Sequence, residues 1–327
     1  MEADLVKRTG ISFTAIPAGQ VHGVGLRALI GIFQLARGLF AARKIIRVFK
    51  PDALLLTGGF VAVPAALAGR RLPTLVCVPD IEPGLALRLV SRLADHIAVP
   101  VEDSKAYFPT VKNIHVTGYP TRPDLTAWEP AQAYREFGLS PDKPTLLVTG
   151  GSRGARSINQ AVTNALPDLL DDMQIIHITG TLTWQEEEAK RQTLPPRLAA
   201  SYRAFDYLHE QMGAALTIAD LVVTRAGASI LGDLPAFSLP AVLVPYPHAW
   251  RYQKVNADYL AQQSAAVVLK DEDLGDELSA TIQDLMHNKF KLSQMKSAMQ
   301  SLARPEAASI IAGILKQAAS PQAGAQG

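Results

Sequence analysis

The feature that most constrains this chain is a short apolar run that leads directly into a glycine turn and a helical pattern. The run LLV at residues 146–148 is typical of a buried parallel strand, and the turn GGSRG follows it at residues 150–154. Glycines let the backbone approach a ligand closely, and the free N–H groups of a helix N-terminus attract phosphate. Taken alone, the turn leaves a phosphate site and a purely structural turn open. Its spacing does not match G-x-G-x-x-G, so it indicates no nicotinamide cofactor.

The alternation of strand, turn and helix continues through the C-terminal half of the chain. Such alternation is typical of a parallel, doubly wound α/β sheet. Right-handed crossovers then bring the carboxyl ends of the strands, and the loops that follow them, to one edge of the sheet. We predict strands there at residues 145–149, 174–179, 204–207, 221–224, 241–245 and 265–269.

The N-terminal half shows the same alternation but begins partway through it. A helical pattern at residues 2–10 comes before any strand, whereas an α/β domain normally starts with a strand that carries its ligand loop. We predict strands at residues 11–16, 53–56, 74–78, 95–99 and 113–117, and helices at residues 26–49 and 63–68.

A stretch with Pro130, Pro141 and Pro144 separates the two alternating halves, and it predicts a domain boundary. The last residues are small and polar, which is typical of a disordered tail. We predict a first Rossmann-like domain at residues 1–125, truncated at its N-terminus, a linker at 126–144, a second Rossmann-like domain at 145–303, a C-terminal helix at 304–318 and a disordered tail at 319–327.

Composition excludes several classes of function. The formal net charge of +2 over 327 residues argues against a general nucleic-acid-binding protein. Cys77 is the single cysteine, which excludes an intramolecular disulfide framework and is consistent with a reducing cytoplasm. No group of His, Asp and Glu has metal-ligand spacing, so we predict neither a metal nor a cofactor. The sequence also shows no signal peptide and no stretch apolar enough to cross a membrane.

The predicted helix at residues 26–49 permits two interpretations. Its apolar residues could pack against a sheet, as in most α/β domains. Alternatively, Arg27, Arg37 and Lys44 fall with Gln34 within roughly a third of the helix circumference, which is typical of an apolar and basic surface that docks on anionic lipid. Arg37 interrupts the apolar run, so the helix could lie on a membrane but not span it.

Four loops at the predicted edge of the second sheet carry side chains suited to a nucleotide sugar. They would supply backbone donors for phosphate, a carboxylate for a ribose diol and amides for sugar hydroxyls, although each residue alone has an ordinary structural explanation. The residues are Ser152, the pair Leu208 and His209, the turn from Arg225 to Asp233, and Gln253 with Asn256 on one helix face.

Asp80 and Glu82 lie in the loop after the predicted strand at residues 74–78. Ligands of open α/β sheets bind beyond the carboxyl ends of strands, so these carboxylates lie where chemistry could occur. A solvated loop is the alternative interpretation.

Taken together, five motifs resemble the MurG-type glycosyltransferases of peptidoglycan synthesis, in glycosyltransferase family 28. These enzymes transfer N-acetylglucosamine from its UDP donor to the membrane-anchored acceptor lipid I. The resemblance covers nearly the whole chain in the family's order. The motifs are GGFVAVP at residues 58–64, GYPTR at 118–122, LVTGGSRGAR at 147–156, ADLVVTRAGA at 219–228 and QKVNA at 253–257.

The resemblance implies a GT-B fold, with two Rossmann-like domains facing a cleft and a last helix that returns to the N-terminal domain. It also implies an inverting hexosyltransferase that is peripheral on the cytoplasmic face of the plasma membrane. Its partners would be UDP-N-acetylglucosamine, a lipid-linked acceptor and an anionic membrane surface, with no nucleic acid.

The resemblance also assigns roles to residues of the second domain. Arg122 and Ser152 would face the diphosphate, and the segment with Leu208 and His209 would meet uracil through its backbone. The turn with Ala228 and Ser229 would wrap the sugar and ribose. Asp233 would accept the ribose hydroxyls, and Gln253, with Asn256 on the same helix face, would bind the sugar.

Three departures from the family pattern concern mainly the acceptor half. The family's N-terminal glycine-rich loop with its histidine has no counterpart, and its His-Glu-Gln-Asn segment aligns with CVPD at residues 77–80. Asp233 stands where the family has glutamate. Our hypothesis for the general base is Asp80, followed by Glu82.

Three alternatives stay open at this point. The chain could be a non-catalytic UDP-sugar-binding protein, or a subunit that needs a partner for its acceptor half. Alternatively, its start could be misassigned, with the missing loop encoded upstream. A UDP-sugar 2-epimerase on the same fold is less favoured, because it needs more acid–base groups than the sequence offers.

Overall fold

The computed structural model describes residues 6, 9–17, 26–111, 113–248 and 251–320. They form two compact units. The first unit takes in residues 1–79, 83–117 and 309–327, and the second takes in residues 80–82 and 118–308. The predicted helix at residues 2–10 lies mostly outside the described residues, as does the predicted disordered tail beyond Ser320.

The first unit contains a parallel sheet whose four strands lie in the order β1-β2-β3-β4. Every neighbouring pair is parallel, as the βα alternation predicts. The elements are α1 (Leu26–Phe49), β1 (Leu54–Leu56), α2 (Ala62–Ala68), β2 (Thr74–Cys77), α3 (Leu85–Ser91), β3 (His96–Val99) and β4 (Ile114–Val116).

The two faces of this sheet bury different partners because successive side chains of a strand point to opposite faces. On one face, Val76 and Ile97 belong to the cluster that includes residues of α2 and α3. On the other face, Leu75 and Ala98 pack against Ile311 of the last helix. Strands buried on both faces account for the continuous apolar runs in the sequence.

The predicted strand at residues 11–16 is wrong. Residues 11–17 carry no regular secondary structure, and Ile11 is 66% exposed. Alternating Ile and Phe residues favour a strand, but a strand also needs a neighbour that satisfies its backbone groups. Within the described residues, no strand pairs with this segment.

The second unit contains a parallel sheet whose six strands lie in the order β10-β9-β8-β5-β6-β7. This confirms the predicted parallel, doubly wound sheet. The strands are β5 (Thr145–Thr149), β6 (Gln174–Ile178), β7 (Tyr202–Phe205), β8 (Leu221–Thr224), β9 (Ala241–Leu243) and β10 (Ala266–Val268).

Helices cover this second sheet and complete its core. Buried apolar residues of α5 pack with those of α11 and the strands in one cluster. The helices of this unit are α4 (Pro130–Phe137), α5 (Arg156–Asp172), α6 (Trp184–Gln192), α7 (Pro196–Ala199), α8 (Met212–Ile218), α9 (Ile230–Ala236), α10 (Tyr252–Gln262), α11 (Leu274–His287) and α12 (Lys289–Ser301). The last helix, α13 (Ala307–Ala319), lies mostly in the first unit, where Ile311 packs on the first sheet.

The strand order places a topological switch point between β5 and β8. The chain proceeds outward from β5 through β6 to β7, then returns to β8 and proceeds in the other direction. Open α/β sheets bind their ligands beyond the carboxyl ends of the strands at such a point. A ligand site is therefore expected at the loops that begin at Gly150 and Arg225.

Candidate functional site

A cavity of about 800 Å³ lies in the second unit at this switch point. Its wall combines backbone, polar and apolar groups, as small-molecule sites usually do. The lining residues include Gly150, Gly151, Arg153, Gly154, Ser157, Thr183, Met212, Arg225, Ser229, Asp233, Tyr246, Gln253 and Asp271.

The glycine turn after β5 has a backbone that other residues would distort. Gly151 and Gly154 have φ angles of +82° and +81°, which lie in the left-handed region. A Cβ atom on Gly154 would also come within 2.0 Å of the carbonyl oxygen of Thr179. The turn therefore packs tightly against the loop after β6, and its glycines are required by conformation and by space.

The turn ends at the N-terminus of α5, where no side chain caps the helix. The first N–H groups of a helix have no partner within it, and its dipole favours negative charge there. Gly151 and Arg153 line the cavity on either side of the exposed residue Ser152. This geometry suits an anionic ligand such as a diphosphate.

Asp233, in the first turn of α9, lines the cavity and has a perturbed ionisation. Burial raises the pKa of its carboxyl to about 6, although the charge of Arg122 and hydrogen bonds from Ser229 and Thr121 lower it. A buried carboxylate in a cavity is a common mark of a functional residue. As a carboxylate it can accept hydrogen bonds from two neighbouring hydroxyls of a ligand.

Gln253 and Asn256 lie on α10 as predicted, but their surroundings differ. Gln253 lines the cavity, and its Oε1 accepts a hydrogen bond from the N–H of Tyr246 at 2.8 Å. This leaves the NH₂ group of Gln253 to donate to a ligand. Asn256 is fully buried and does not line the cavity.

The amide of Asn256 instead holds Asp80 and its neighbour. Its Nδ2 donates to Asp80 Oδ1 at 2.8 Å and to the carbonyl oxygen of Ala226 at 3.2 Å. Its Oδ1 accepts from the N–H of Ile81 at 3.2 Å. Burial raises the pKa of Asp80, and the hydrogen bond from Asn256 partly lowers it.

Glu82 lies two residues beyond Asp80 in the same short segment of the second unit. Its side chain is buried, and its Oε2 lies 3.4 Å from Nε of the exposed residue Arg251. The structure thus gives the two carboxylates different partners, an amide for Asp80 and a guanidinium for Glu82.

The remaining predicted residues lie outside the cavity wall. Arg122 is exposed, and its Nη1 lies 3.7 Å from Oδ2 of Asp124. Leu208 is buried, and the ring of His209 meets that of Tyr207 edge-on at 4.6 Å between centroids. Ala228 lies in the turn before α9.

Arg225, which opens one of the predicted loops, forms a charged cluster in the cavity wall that the sequence did not predict. Arg225 forms an ion pair with Asp271, and it donates to Ser157 Oγ at 2.8 Å. Its guanidinium also lies 5.3 Å from the ring centroid of Tyr246. Arg225 directly follows the end of β8. The sequence signal for this cluster is the position of a charged residue at the carboxyl end of an apolar strand.

The described residues carry neither a metal-ligand cluster nor a membrane-spanning helix. Among the described residues, no group of three or more His, Cys, Asp or Glu could hold a metal ion. In the described ranges, no helix combines the length and apolar character needed to span a bilayer.

Comparison with known families and curated proteins gives consistent matches. Residues 145–311 match the glycosyltransferase family 28 C-terminal domain, and residues 1–99 match its N-terminal domain. A protein of Roseiflexus sp. (strain RS-1) is 41% identical over 97% of this chain and 81% of its own length. One of Desulforamulus reducens is 39% identical over 95% of this chain and 86% of its own length. Both are named UDP-N-acetylglucosamine--N-acetylmuramyl-(pentapeptide) pyrophosphoryl-undecaprenol N-acetylglucosamine transferase.

Solved structures give the same result for the fold. The Acinetobacter baumannii MurG structure matches with a TM-score of 0.73 at 25% identity, over 97% of this chain and 88% of that one. A Neisseria meningitidis UDP-GlcNAc 2-epimerase matches with a TM-score of 0.68 at 14% identity, over 87% and 81% of the two chains. At that identity the epimerase shares the fold alone. The predicted GT-B fold class is confirmed.

Proposed function

The chain belongs to glycosyltransferase family 28, and we propose that it is an inverting hexosyltransferase of peptidoglycan synthesis. It moves N-acetylglucosamine from UDP-N-acetylglucosamine to a lipid-linked acceptor, the lipid I of the family. The observation that carries this proposal is the cavity at the switch point, where a glycine turn, a carboxylate and an amide converge. Those three groups match the diphosphate, ribose and sugar of such a donor.

Each part of the donor has a partner in this assignment. The N–H groups at the start of α5, beside Ser152, bind the diphosphate, and Arg122 contributes positive charge. Asp233 accepts the ribose hydroxyls, and the turn with Ala228 and Ser229 surrounds the sugar and ribose. The backbone of Leu208 and His209 meets the uracil.

The amide of Gln253 donates to a hydroxyl of the N-acetylglucosamine. Asn256, one helical turn further along α10, supports this surface through its buried contacts with Asp80 and Ala226.

The reaction is a displacement at the anomeric carbon of the sugar. An acceptor hydroxyl attacks that carbon, the bond from the carbon to the diphosphate oxygen breaks, and UDP leaves with the electron pair. N–H groups at the start of α5 stabilise the charge that develops on the leaving diphosphate. Asp80 takes the proton of the attacking hydroxyl, because burial raises its pKa and makes it a stronger base than an exposed aspartate. Glu82 is the second candidate for this role.

The acceptor is anchored in lipid, and α1 offers a surface for docking on a membrane. Phe33 and Phe40 are 63% and 69% exposed, and they lie on one stripe of α1 with the exposed residues Arg37 and Lys44. At 100° per residue the four side chains span about 60° of the helix circumference. An exposed stripe of aromatic and basic residues is suited to an anionic surface. We infer a cytoplasmic protein that is peripheral on the inner face of the plasma membrane.

Transfer of radiolabelled N-acetylglucosamine to a lipid I analogue tests the function directly. The wild-type chain is expected to form a labelled lipid product, and Gln253→Ala is expected to lose most of that product through weaker donor binding. Calorimetry with UDP-N-acetylglucosamine separates the alternatives. Binding without transfer would support the non-catalytic alternative, and absence of binding would overturn the proposed function.

A further inference from the structure

Behind the glycine turn of the second unit lies a row of buried polar side chains that the proposed reaction does not use. Asn159, His177 and Thr179 are fully buried, and Thr183 and Tyr202 are nearly so. They come from α5, from β6 and the loop after it, and from β7. Burial of polar groups is costly unless each is hydrogen-bonded, so such a row requires an explanation.

Continuous hydrogen bonds connect these residues, and Thr179 takes part through its carbonyl oxygen. The Tyr202 hydroxyl lies 2.8 Å from His177 Nδ1, and His177 Nε2 lies 3.1 Å from Asn159 Oδ1. Asn159 Nδ2 donates to the carbonyl oxygen of Thr179 at 2.7 Å and to Thr183 Oγ1 at 2.8 Å. The Thr183 hydroxyl in turn donates to the same Thr179 carbonyl at 2.8 Å.

These contacts determine the direction of every bond in the row. Asn159 uses both N–H groups as donors, so its Oδ1 must accept, and His177 must therefore carry its proton on Nε2. Nδ1 of the neutral ring is then an acceptor, and the Tyr202 hydroxyl must donate to it. Only one tautomer of His177 satisfies the whole row.

The row ends on the loop against which the glycine turn packs. A Cβ atom on Gly154 would lie 2.0 Å from the Thr179 carbonyl oxygen, and one on Gly180 would lie 2.1 Å from the N–H nitrogen of Gly154. Thr183, the last member of the row, lines the cavity. Asn159 therefore fixes the surface on which the turn rests, from the first turn of the same helix that presents the anion-binding N–H groups.

We propose that Asn159 and His177 are positioning residues that hold the diphosphate-binding turn in the geometry required for the donor. This inference rests on the proposed function, since it assumes that the turn binds the diphosphate. Loss of the row would let the turn relax, and the contacts of the turn with the two phosphates would weaken. Contacts with uracil and ribose are made elsewhere and would stay.

The electrostatics of the site are consistent with a ring that stays neutral. Burial lowers the pKa of His177 to about 4, while the charge of Glu187 raises it and that of Lys190 lowers it further. His177 is therefore uncharged near neutral pH, where the row requires a single tautomer. Burial also raises the pKa of the Tyr202 hydroxyl, which keeps it a hydrogen-bond donor.

Two substitutions of His177 test the inference, because each amide side chain can take the place of a different ring nitrogen. In His177→Gln the amide nitrogen can take the place of Nε2 and still donate to Asn159. In His177→Asn the shorter amide reaches only the place of Nδ1, and the bond to Asn159 is lost. At neutral pH we expect His177→Asn to weaken UDP binding about tenfold and His177→Gln to weaken it about threefold or less.

Uridine is the second probe because it lacks the diphosphate. We expect its affinity to be unchanged in both variants, and we expect the KM for the donor to rise without a matching fall in kcat. Thr163→Val is the matched control. It removes the bond from Thr163 to Glu187, which also joins α5 to α6 but lies outside the row, and it should leave UDP affinity unchanged.

The possible outcomes distinguish the inference from the function. If the wild-type chain binds no UDP, the proposed function fails. If it binds UDP and His177→Asn binds UDP equally well while folded, as judged by circular dichroism, only the positioning role is overturned. Equal weakening of UDP and uridine would also overturn it, because that result indicates a general loss of structure.

Discussion

Asp233 lines the cavity and changes its charge close to neutral pH. Its pKa of about 6 means that the carboxyl becomes protonated as the pH falls through that value, and a protonated carboxyl is a poorer partner for a ribose diol. We predict that the affinity for UDP-N-acetylglucosamine falls about tenfold between about pH 7 and pH 5. Calorimetry across that range measures it.

UDP-N-acetylglucosamine is the suitable ligand for this titration, because its diphosphate diester does not itself titrate there. The control is Asp233→Asn, whose weaker binding should not change with pH. A wild-type affinity that is equally independent of pH would contradict the assigned role of Asp233.

Asp80 provides the second residue-level prediction. General-base catalysis contributes about 10²- to 10⁴-fold, so Asp80→Asn should lower kcat at least about a hundredfold while the KM for the donor stays the same. The amide keeps the size of the side chain beside Asn256. Steady-state kinetics with both substrates measures it, with Glu82→Gln as the comparison. An unchanged kcat in Asp80→Asn would remove this residue from the mechanism.

Part of the cavity wall could be predicted from the sequence, because some of its residues directly follow predicted strands. Asp233 and Gln253 follow strand ends in recognisable motifs, so both the loop and its chemistry could be read from the sequence. Asn159 could not be found this way. A polar residue in a helical pattern predicts an exposed face, and only the fold shows that it meets His177 in the core.

Among the elements, the glycine turn after β5 leads to a specific prediction about a substitution. Gly154→Ala places a Cβ atom 2.0 Å from a carbonyl oxygen in a backbone with positive φ, so the turn must move. We predict a loss of at least about 2 kcal/mol in the free energy of unfolding, together with loss of UDP binding. Urea denaturation and calorimetry measure the two effects.

The matched control for this substitution is Gly275→Ala. Gly275 lies in α11, and an added Cβ atom would meet nothing within 4 Å. Alanine should therefore stabilise the protein by about 0.5–1 kcal/mol. If Gly154→Ala were tolerated as well as this control, the tight packing of the turn would not matter for the site.

The exposed stripe of α1 makes a prediction about membranes. Replacing Phe33 and Phe40 by serine should lower binding to vesicles that contain anionic lipid, because the aromatic rings no longer bury apolar area. Phe290→Ser is the control, since Phe290 is 73% exposed on α12 of the second unit. Vesicle sedimentation at two salt concentrations measures binding. Equal losses from the stripe and the control would contradict a specific docking surface.

Elements were predictable where the pattern is long or bounded by turns. The strand β5 begins and ends at the predicted residues, and the helix α1 ends at the predicted Phe49, because apolar runs between clear breaks leave little choice. The strand β7 begins two residues earlier than the predicted strand at residues 204–207, and residues 11–16 form no strand. Both errors have one cause, since pairing with a neighbour decides where a strand exists and the sequence alone does not show the neighbour.

At the scale of the whole molecule, the partly buried Asp233 and the fully buried His177 act on stability in opposite directions. The pKa of Asp233 is raised from 3.8 to about 6 in the folded state, so protonation of this carboxyl stabilises the fold. This stabilisation is fully present below the unfolded-state pKa and is lost as the pH rises through about 6. The pKa of His177 is lowered from 6.5 to about 4 in the folded state, so the neutral ring stabilises the fold. This stabilisation is fully present above the unfolded-state pKa and is lost as the pH falls through about 4. Each shift corresponds to about 3 kcal/mol.

These opposing contributions predict how acid affects the protein and its variants. As the pH falls from about 7 to about 4, the free energy of unfolding that His177 loses and the free energy that Asp233 gains nearly cancel in the wild-type chain. The raised pKa of Asp80 contributes a further gain. His177→Gln should therefore gain about 3 kcal/mol in the free energy of unfolding as the pH falls through this range, whereas Asp233→Asn should lose a similar amount. Urea denaturation at several pH values measures the slopes. Parallel curves for the wild-type chain and both variants would show that neither group changes its pKa on folding, and the cavity and the buried row would then lack the electrostatics assigned to them.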